Sequence, residues 1–392
     1  MKKLTPCFDP AVTKRGVWPT EPQQLLLQAA LLDAPVATRA WTKWQEMVQI
    51  DAIDAASWRL IPLAYVNLKR LGVEDPLLLQ AKEIRLYHWR CNQRLFQQSS
   101  IFLDQLQQLK IPVVVLKGVA LAHLYYPDTG ARPMADLDLL VPAENFLALG
   151  THLTENGWKA TLKDLASFKT DELPSFGLMR ADGFSVDIHC HVLHANCAQG
   201  ADEGFWLHAQ PWTFRQRAAL TLAPEDQLLH VISHGIQWCD VPPFRWIADA
   251  WWILARSRDT FNWERLLKQA RFHEVNLEIL HGLEFMNQIT PLDLPPDLLT
   301  RLEAIPTSGD VHVRFIFNTS SIPVPFFARA RAIWNASGQV APVYPVDGQP
   351  NKQRRHPLAE TNIRRTLALL HYACKALLRI AGRFLRGCVK SG

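Results

Sequence analysis

The apolar residues of this 392-residue chain change their spacing twice. From residue 20 to 110 they recur every three or four positions, a spacing that predicts helices. Short β-branched runs, such as IPVVVL at residues 111–116, then predict strands, and helical spacing returns after Pro224. Because helical ends enclose a small block of strands, we expect an α+β fold with a mixed β-sheet in its middle.

The same changes in composition divide the chain into five expected segments. An N-terminal helical region takes residues 1–94, an α/β core takes 95–205 and a C-terminal helical domain takes 206–335. A Pro-rich linker or arm follows at 336–360, and a basic amphipathic helix at 361–392 ends the chain.

Charge and cysteine usage limit the class of protein. The net charge of +5 comes from residues 361–392, which hold seven basic residues and no acidic one. The rest of the chain is slightly acidic, so we predict no specific nucleic-acid partner. The seven scattered cysteines without a CxxC pair, the lack of a bilayer-long apolar run and the absence of a secretory signal are typical of a cytoplasmic protein.

The last predicted helix carries a basic stripe, with residues at three- and four-residue spacing: Lys375, Arg379, Arg383 and Arg386. Such a stripe fits an anionic membrane surface or another anionic partner, which would make the protein peripheral to the membrane. A terminal helix that packs on the body with its basic face in water explains the stripe equally well.

Two aspartates interrupt an otherwise apolar run, DLDLLV, in which Asp136 and Asp138 alternate with leucines. On a strand, residues two apart point to the same face, so the two carboxylates are expected side by side. Two negative charges at such a short distance repel each other unless a cation lies between them. Mg²⁺ is suited to this place, because it takes carboxylate oxygens as ligands. The later strand-like run SVDIHCHV supplies a third carboxylate, Asp187.

Other interpretations of these groups stay open. A D-x-D pair at the end of a strand can simply face water, and Arg132 can neutralise one aspartate in a structural salt bridge. His189, His191 and His194 permit a zinc site, although zinc sites usually also contain Cys or a distant second pair of ligands.

Two further histidines, His230 and His234, lie four residues apart on one helix face. Without a Glu after the first His, they lack the general base of a zinc protease. We favour a position for both histidines at the seam between the helical domain and the α/β core. A second metal site or a phosphate contact that includes Asp249 stays open. Helical spacing predicts a core position for four tryptophans: Trp238, Trp246, Trp251 and Trp252.

The stretch LKGVALAHLYYPDTGARPMADLDLLV, residues 116–141, resembles the LKG…R…DxDxLV signature of the uncharacterised nucleotidyltransferase family, within the polymerase-β-type superfamily. A D-x-H motif follows at Asp187 and His189. Further positions match in the C-terminal half: His230, His234, Arg245, Asp249 and Asn262-Trp263. The resemblance covers most of residues 40–290.

This resemblance implies a minimal nucleotidyltransferase core and a metal-dependent enzyme that transfers a nucleoside monophosphate from an NTP to a hydroxyl group of a small molecule, sugar or protein. Asp136, Asp138 and Asp187 would be the catalytic residues and the ligands of Mg²⁺ or Mn²⁺, and Asp187 would take the hydroxyl proton. ATP is the first choice among the triphosphates. Four residues would contact the nucleotide or a ligand carboxylate: Lys117, Gly118, Arg132 and His189.

Two other functions remain open. A non-catalytic nucleotide-binding or antitoxin-like regulator would use the Lys117-Gly118 turn to bind phosphate without turnover. A metal-dependent phosphohydrolase would instead use the histidines. The acceptor is not predicted, because acceptor pockets in this fold are built by the variable helical domains.

Overall fold

The computed structural model describes residues 17–162, 170, 173–237 and 244–319. The predicted linker, the predicted basic helix and Trp238 lie outside the described residues. Of the described residues, those up to 307 together with 318–319 belong to one compact unit, and 308–317 belong to a second. None of the described helices is both long and apolar enough to cross a membrane.

The described N-terminal residues are helical, as their apolar spacing predicts. The helices are α1 (Glu21–Leu31), α2 (Val36–Met47), α3 (Ala55–Trp58), α4 (Ile61–Arg70) and α5 (Leu77–Gln108), with a 3-10 turn at Ile50–Ala52. Several of these helices begin at residues that favour a helix N-terminus. The Asp54 carboxylate, for example, accepts hydrogen bonds from the first backbone N–H groups of α3, and prolines occupy the first turns of α1 and α4.

The described strands form one mixed sheet in the order β3-β4-β5-β2-β1-β7-β6. Their bounds are β1 (Val114–Val115), β2 (Leu137–Leu140), β3 (Lys159–Ala160), β4 (Ser175–Met179), β5 (Ser185–His189), β6 (Gln210–Phe214) and β7 (Arg217–Thr221). The pairs β2–β5 and β1–β7 are parallel, and the other pairs are antiparallel. The predicted α+β class with a mixed sheet is thereby confirmed.

One hairpin of the sheet differs from the sequence-based expectation. Strands β6 and β7 lie within residues 206–335, which we predicted to be helical, and β7 extends the sheet by pairing with β1. Their two-residue turn, Arg215-Gln216, has a positive φ at both positions. Such turns normally carry Asn or Gly, so this one gives no recognisable hairpin signal.

The predicted Lys117-Gly118 turn is also corrected. Helix α6 (Lys117–Leu124) begins at Lys117, and Leu116 precedes it in an extended conformation. The chain therefore passes from β1 into a helix through one residue, and Lys117 and Gly118 form the first turn of that helix. This turn leaves backbone N–H groups without an intrahelical acceptor.

The remaining described helices are α7 (Ala143–Glu155), α8 (Glu203–Leu207), α9 (Pro224–Gly235), α10 (Arg245–Ser257), α11 (Trp263–Phe272), α12 (Asn276–Ile289), α13 (Leu298–Glu303) and α14 (Gly309–Thr319). Helices α9 and α10 meet where Gly235 contacts Trp246, and a Cβ atom on Gly235 would lie 2.1 Å from Cγ of Trp246. Only glycine permits this approach. The Asn262 side chain caps α11 by accepting the N–H of Arg265 at 3.0 Å.

The hydrophobic core joins the sheet to α5, α6 and α7. Leu137 and Leu139 of β2 and Val186 and Ile188 of β5 are fully buried in this core. Since side chains alternate along a strand, the residues between them point to the opposite face of the sheet. That face carries the predicted site.

Candidate active site

Strands β2 and β5 bring two of the three predicted carboxylates together. Asp138 and Asp187 are direct partners in the parallel register of these strands. His189, two residues after Asp187, shares their face. Its Nε2 atom lies 3.2 Å from Oδ2 of Asp187 and 3.5 Å from Oδ1 of Asp138. A D-x-D motif and a D-x-H motif that are distant in sequence therefore meet at one point.

These three residues have the composition and spacing of a divalent-cation site. Asp138, Asp187 and His189 each offer one ligand atom, and these atoms lie within 4.8 Å of one another. Within the described ranges, no other set of His, Cys, Asp or Glu residues forms such a group of three. Nδ1 of His189 is buried without a hydrogen-bond partner among the described residues. Two carboxylates and an imidazole fit Mn²⁺ and, through their oxygens, Mg²⁺.

Asp136, the third predicted carboxylate, lies just outside this group. It precedes β2 by one residue and is half-buried in the same cavity. Burial, followed by repulsion from Asp138, raises the pKa of Asp136 to about 6. A cation near two such carboxylates stabilises their ionised forms, and a cation at this place is what the sequence predicts.

Lys117 supplies a cation from within the chain. Its Nζ atom lies 3.0 Å from Oδ1 of Asp138 and 3.2 Å from Nε2 of His234. Burial opposes ionisation of Asp138, but Lys117 and His189 outweigh it and hold the pKa of Asp138 well below its usual range. The nearby ammonium group and desolvation lower the pKa of His234, so this ring is neutral and accepts a hydrogen bond from Lys117.

Gly118 lies against the carboxylates. A Cβ atom here would stand 3.6 Å from Oδ2 of Asp138 and 3.8 Å from Nη1 of Arg132. These are ordinary van der Waals distances, so the fold itself does not require glycine. The absence of a side chain instead leaves room beside Asp138.

Arg132 has a different partner from the ones considered in the sequence. Its Nε and Nη2 atoms donate to the two oxygens of Asp249, at 2.7 and 2.8 Å, and the Tyr126 hydroxyl donates to Asp249 at 2.6 Å. Arg132 and Asp249 are 2% and 4% exposed. The ion pair therefore joins the segment before β2 to α10, and does not neutralise Asp136 or Asp138 directly.

The other histidines divide between structural contacts and the cavity. His191 does not join a three-histidine zinc group, because its Nδ1 atom lies 2.6 Å from Oδ2 of Asp202. His230 is buried, and burial followed by the charge of Lys117 lowers its pKa well below the usual value. His234 lines the cavity. Of the pair on α9, only His234 thus reaches the candidate site directly.

The carboxylates open into a cavity of about 270 Å³. Helix α10 contributes Arg245 and Asp249 to its wall, and the residue after α3 contributes Arg59. Arg59 was not predicted, because one arginine in a helical region carries no local signal. Only the packing of the N-terminal helices brings it to the cavity.

Comparison with known proteins gives one extensive match. A family model described as "Uncharacterised nucleotidyltransferase" matches residues 42–291. Among curated proteins no match was found.

Two solved structures are similar to parts of the chain. The lincosamide antibiotic adenylyltransferase LnuA, bound to lincomycin, is 18% identical with a TM-score of 0.26, and the match covers 34% of this chain and 83% of that one. An antigenic nucleotidyltransferase-like protein from Paracoccidioides brasiliensis is 15% identical with a TM-score of 0.33, and the match covers 55% of this chain and 95% of that one.

Proposed function

The chain belongs to the uncharacterised nucleotidyltransferase family and is an enzyme of that class, and we propose that its reaction depends on a divalent metal ion. It transfers a nucleoside monophosphate from an NTP, with ATP as the first choice, to a hydroxyl group of a small molecule, sugar or protein. The observation that carries this proposal is the pairing of Asp138 with Asp187 beside His189.

The donor atoms of these residues fit Mg²⁺ or Mn²⁺. Asp138, Asp187 and His189 would hold the ion, with Asp136 next to them. When bound, the ion supplies positive charge to the phosphates and to the oxygens that enter and leave at phosphorus.

Asp187 is suited to accept the proton. Its side chain is 30% exposed, against 6% for Asp138, so it offers an oxygen to an incoming acceptor. The acceptor hydroxyl oxygen forms a bond to the α-phosphorus of the NTP, and the bond from that phosphorus to the α–β bridging oxygen breaks. Pyrophosphate leaves with the electron pair, and the hydroxyl proton passes to Asp187.

Lys117 and Gly118 are placed to receive the phosphates. The Nζ atom of Lys117 lies 3.0 Å from Oδ1 of Asp138 in the same cavity, and its ammonium group is suited to bind a phosphate oxygen there. The first N–H groups of α6 favour an anion at the same place. Gly118 keeps the approach clear.

Label transfer from each of the four α-³²P-labelled NTPs tests the proposal. Wild type and Asp187→Asn are incubated with Mg²⁺ or Mn²⁺ and with pooled metabolites or cell protein, and pyrophosphate release is measured in parallel. Asp182→Asn is the matched control, since Asp182 lies in the turn between β4 and β5, outside the cavity. Label transfer in wild type and the control, and not in Asp187→Asn, supports the proposal. Equal labelling by all three proteins contradicts it.

One observation favours a second candidate, a nucleotide-binding regulator without turnover. The Lys117 ammonium group already neutralises Asp138, a ligand that the metal ion would need. Tight NTP binding without pyrophosphate release in any acceptor pool would establish this alternative.

A further inference from the structure

Four basic side chains among the described residues line the cavity, and two of them already have carboxylate partners. Arg132 is paired with Asp249 through two hydrogen bonds, and Lys117 lies 3.0 Å from Asp138. These charges are compensated within the chain.

The other two, Arg59 and Arg245, have no carboxylate partner among the described residues. One N–H group of Arg245 donates to the backbone oxygen of Pro133 at 2.5 Å. The side chain of Arg59 is exposed and makes no hydrogen bond or ion pair with the described residues. The cavity thus contains two guanidinium groups with unused donors.

The surrounding groups respond to this positive charge. Burial, followed by repulsion from Arg132, lowers the pKa of Arg245 to about 10; the charge of Asp249 opposes this shift, and Arg59 adds to it. Burial, Arg245 and Arg59, in that order, lower the pKa of His88 to about 4. Like charges that are only partly compensated in a partly buried site are unfavourable, and an anion at this place would relieve them.

We infer that Arg59 and Arg245 bind the terminal phosphates of the nucleoside triphosphate, at the part of the cavity not occupied by the metal-ligating carboxylates. A guanidinium group binds phosphate oxygens through two parallel hydrogen bonds, which a lysine cannot do. The inference rests on the proposed function and adds that the N-terminal helical region contributes a substrate contact. It also predicts preference for a triphosphate over a monophosphate.

Binding of inorganic tripolyphosphate, ATP and AMP to the full chain tests this site. Arg59→Gln is the first variant, because Arg59 is exposed and its loss should leave the fold intact. Arg39→Gln is its matched control, since Arg39 is an exposed arginine of α2 in the same helical region. Calorimetry at constant ionic strength separates the specific contact from general charge screening.

Losing one charge-assisted contact should weaken tripolyphosphate and ATP binding about tenfold in Arg59→Gln. Arg39→Gln should bind both as wild type does, and AMP binding should be equal in all three proteins. Arg245→Lys, which keeps the charge and loses the planar fork, should weaken tripolyphosphate binding as well.

Equal tripolyphosphate binding by wild type, Arg59→Gln and Arg39→Gln would overturn the inference, even if label transfer establishes the proposed function. Weaker tripolyphosphate and ATP binding in Arg59→Gln alone, in a chain that transfers no label, would support the anion site and contradict the proposed function. Weaker tripolyphosphate binding with unchanged ATP binding would overturn the assignment of the phosphates to a nucleotide.

Discussion

Two groups of polar residues at the cavity differ in how completely their side chains are partnered by other residues of the chain. Arg132, Asp249 and Tyr126, the closed group, are joined by hydrogen bonds of 2.6 to 2.8 Å. The open group consists of Asp138, Asp187 and His189, with Lys117 beside it as the ion-pair partner of Asp138. Its contacts are longer, at 3.0 to 3.5 Å, and Nδ1 of His189 has no hydrogen-bond partner in the described part of the chain.

Residues that stabilise the fold and residues that we propose to act in the reaction therefore lie within a few ångströms of one another. A buried ion pair joined by two short hydrogen bonds stabilises the fold, and breaking it leaves a buried charge uncompensated. Carboxylates and an imidazole that meet without satisfying one another are in contrast ready to bind a cation. We therefore expect changes in the closed group to lower stability and changes in the open group to lower activity.

The largest expected effect is that of Asp138→Asn on label transfer. Losing this carboxylate would remove a proposed metal ligand and the partner of Lys117, so the rate should fall by about three to four orders of magnitude. Chemical denaturation should show a much smaller change in the free energy of unfolding. A variant that unfolds before activity can be measured would place Asp138 among the structural residues.

Asp249→Asn should act in the opposite way. It leaves the buried Arg132 guanidinium without a charged partner, and should reduce the free energy of unfolding by about 3 kcal/mol. Denaturant titration measures this change directly. Unchanged stability together with lost label transfer would instead show that Asp249 belongs to the reaction.

Lowering the pH should reduce the free energy of unfolding through protonation of His273, at pH values above those at which the closed group is protonated. His273 is 1% exposed and stacks on Phe205, and burial lowers its pKa to about 4. Since an unfolded histidine titrates near 6.5, the unfolded state binds the proton first. Stability is therefore complete above pH 6.5 and is lost as the pH falls towards 4, by about 3 kcal/mol.

His273→Phe, which keeps the aromatic stack, should make this slope smaller in urea titrations between pH 7 and 4, and the slope due to His88 and His230, whose pKa values are also lowered, should remain. Asp249→Asn should retain the slope, because Arg132, acting against burial, holds the pKa of Asp249 below its usual value. A flattened slope in Asp249→Asn and an unchanged one in His273→Phe would reverse the assignment.

The smallest expected effect is that of Gly118→Ala. Alanine fits the fold at this position and has the higher helix propensity, so the melting temperature should stay equal or rise slightly. The new methyl group occupies the space beside Asp138, and the KM for the NTP should rise about tenfold. An unchanged KM would show that no phosphate approaches Gly118.

Much of the open group was predictable because it depends on local patterns. Alternation of leucines with Asp138, and of Val186 and Ile188 with Asp187, determines which face of each strand is buried. Helical spacing likewise predicted the described helices before β1 and after β7. The partner of Arg132 was not predictable, since Asp249 lies 117 residues away and no local pattern selects it.

Strands β6 and β7 and the position of Arg59 escaped prediction for related reasons. The Arg215-Gln216 turn adopts positive φ values without Gly or Asn, so its sequence resembles any polar segment. Arg59 follows a short helix, and its place in the cavity depends on how several helices pack.

The sequence by itself determined the α+β class, the strands that carry Asp138 and Asp187 and the chemistry of their side chains, because periodicity and residue type are local properties. The tertiary structure alone decided which charges are compensated. It joined Arg132 to Asp249, placed Lys117 on Asp138 and left Arg59 and Arg245 without carboxylate partners among the described residues. Compensation depends on distances of a few ångströms between side chains far apart in the chain, and only folding sets those distances.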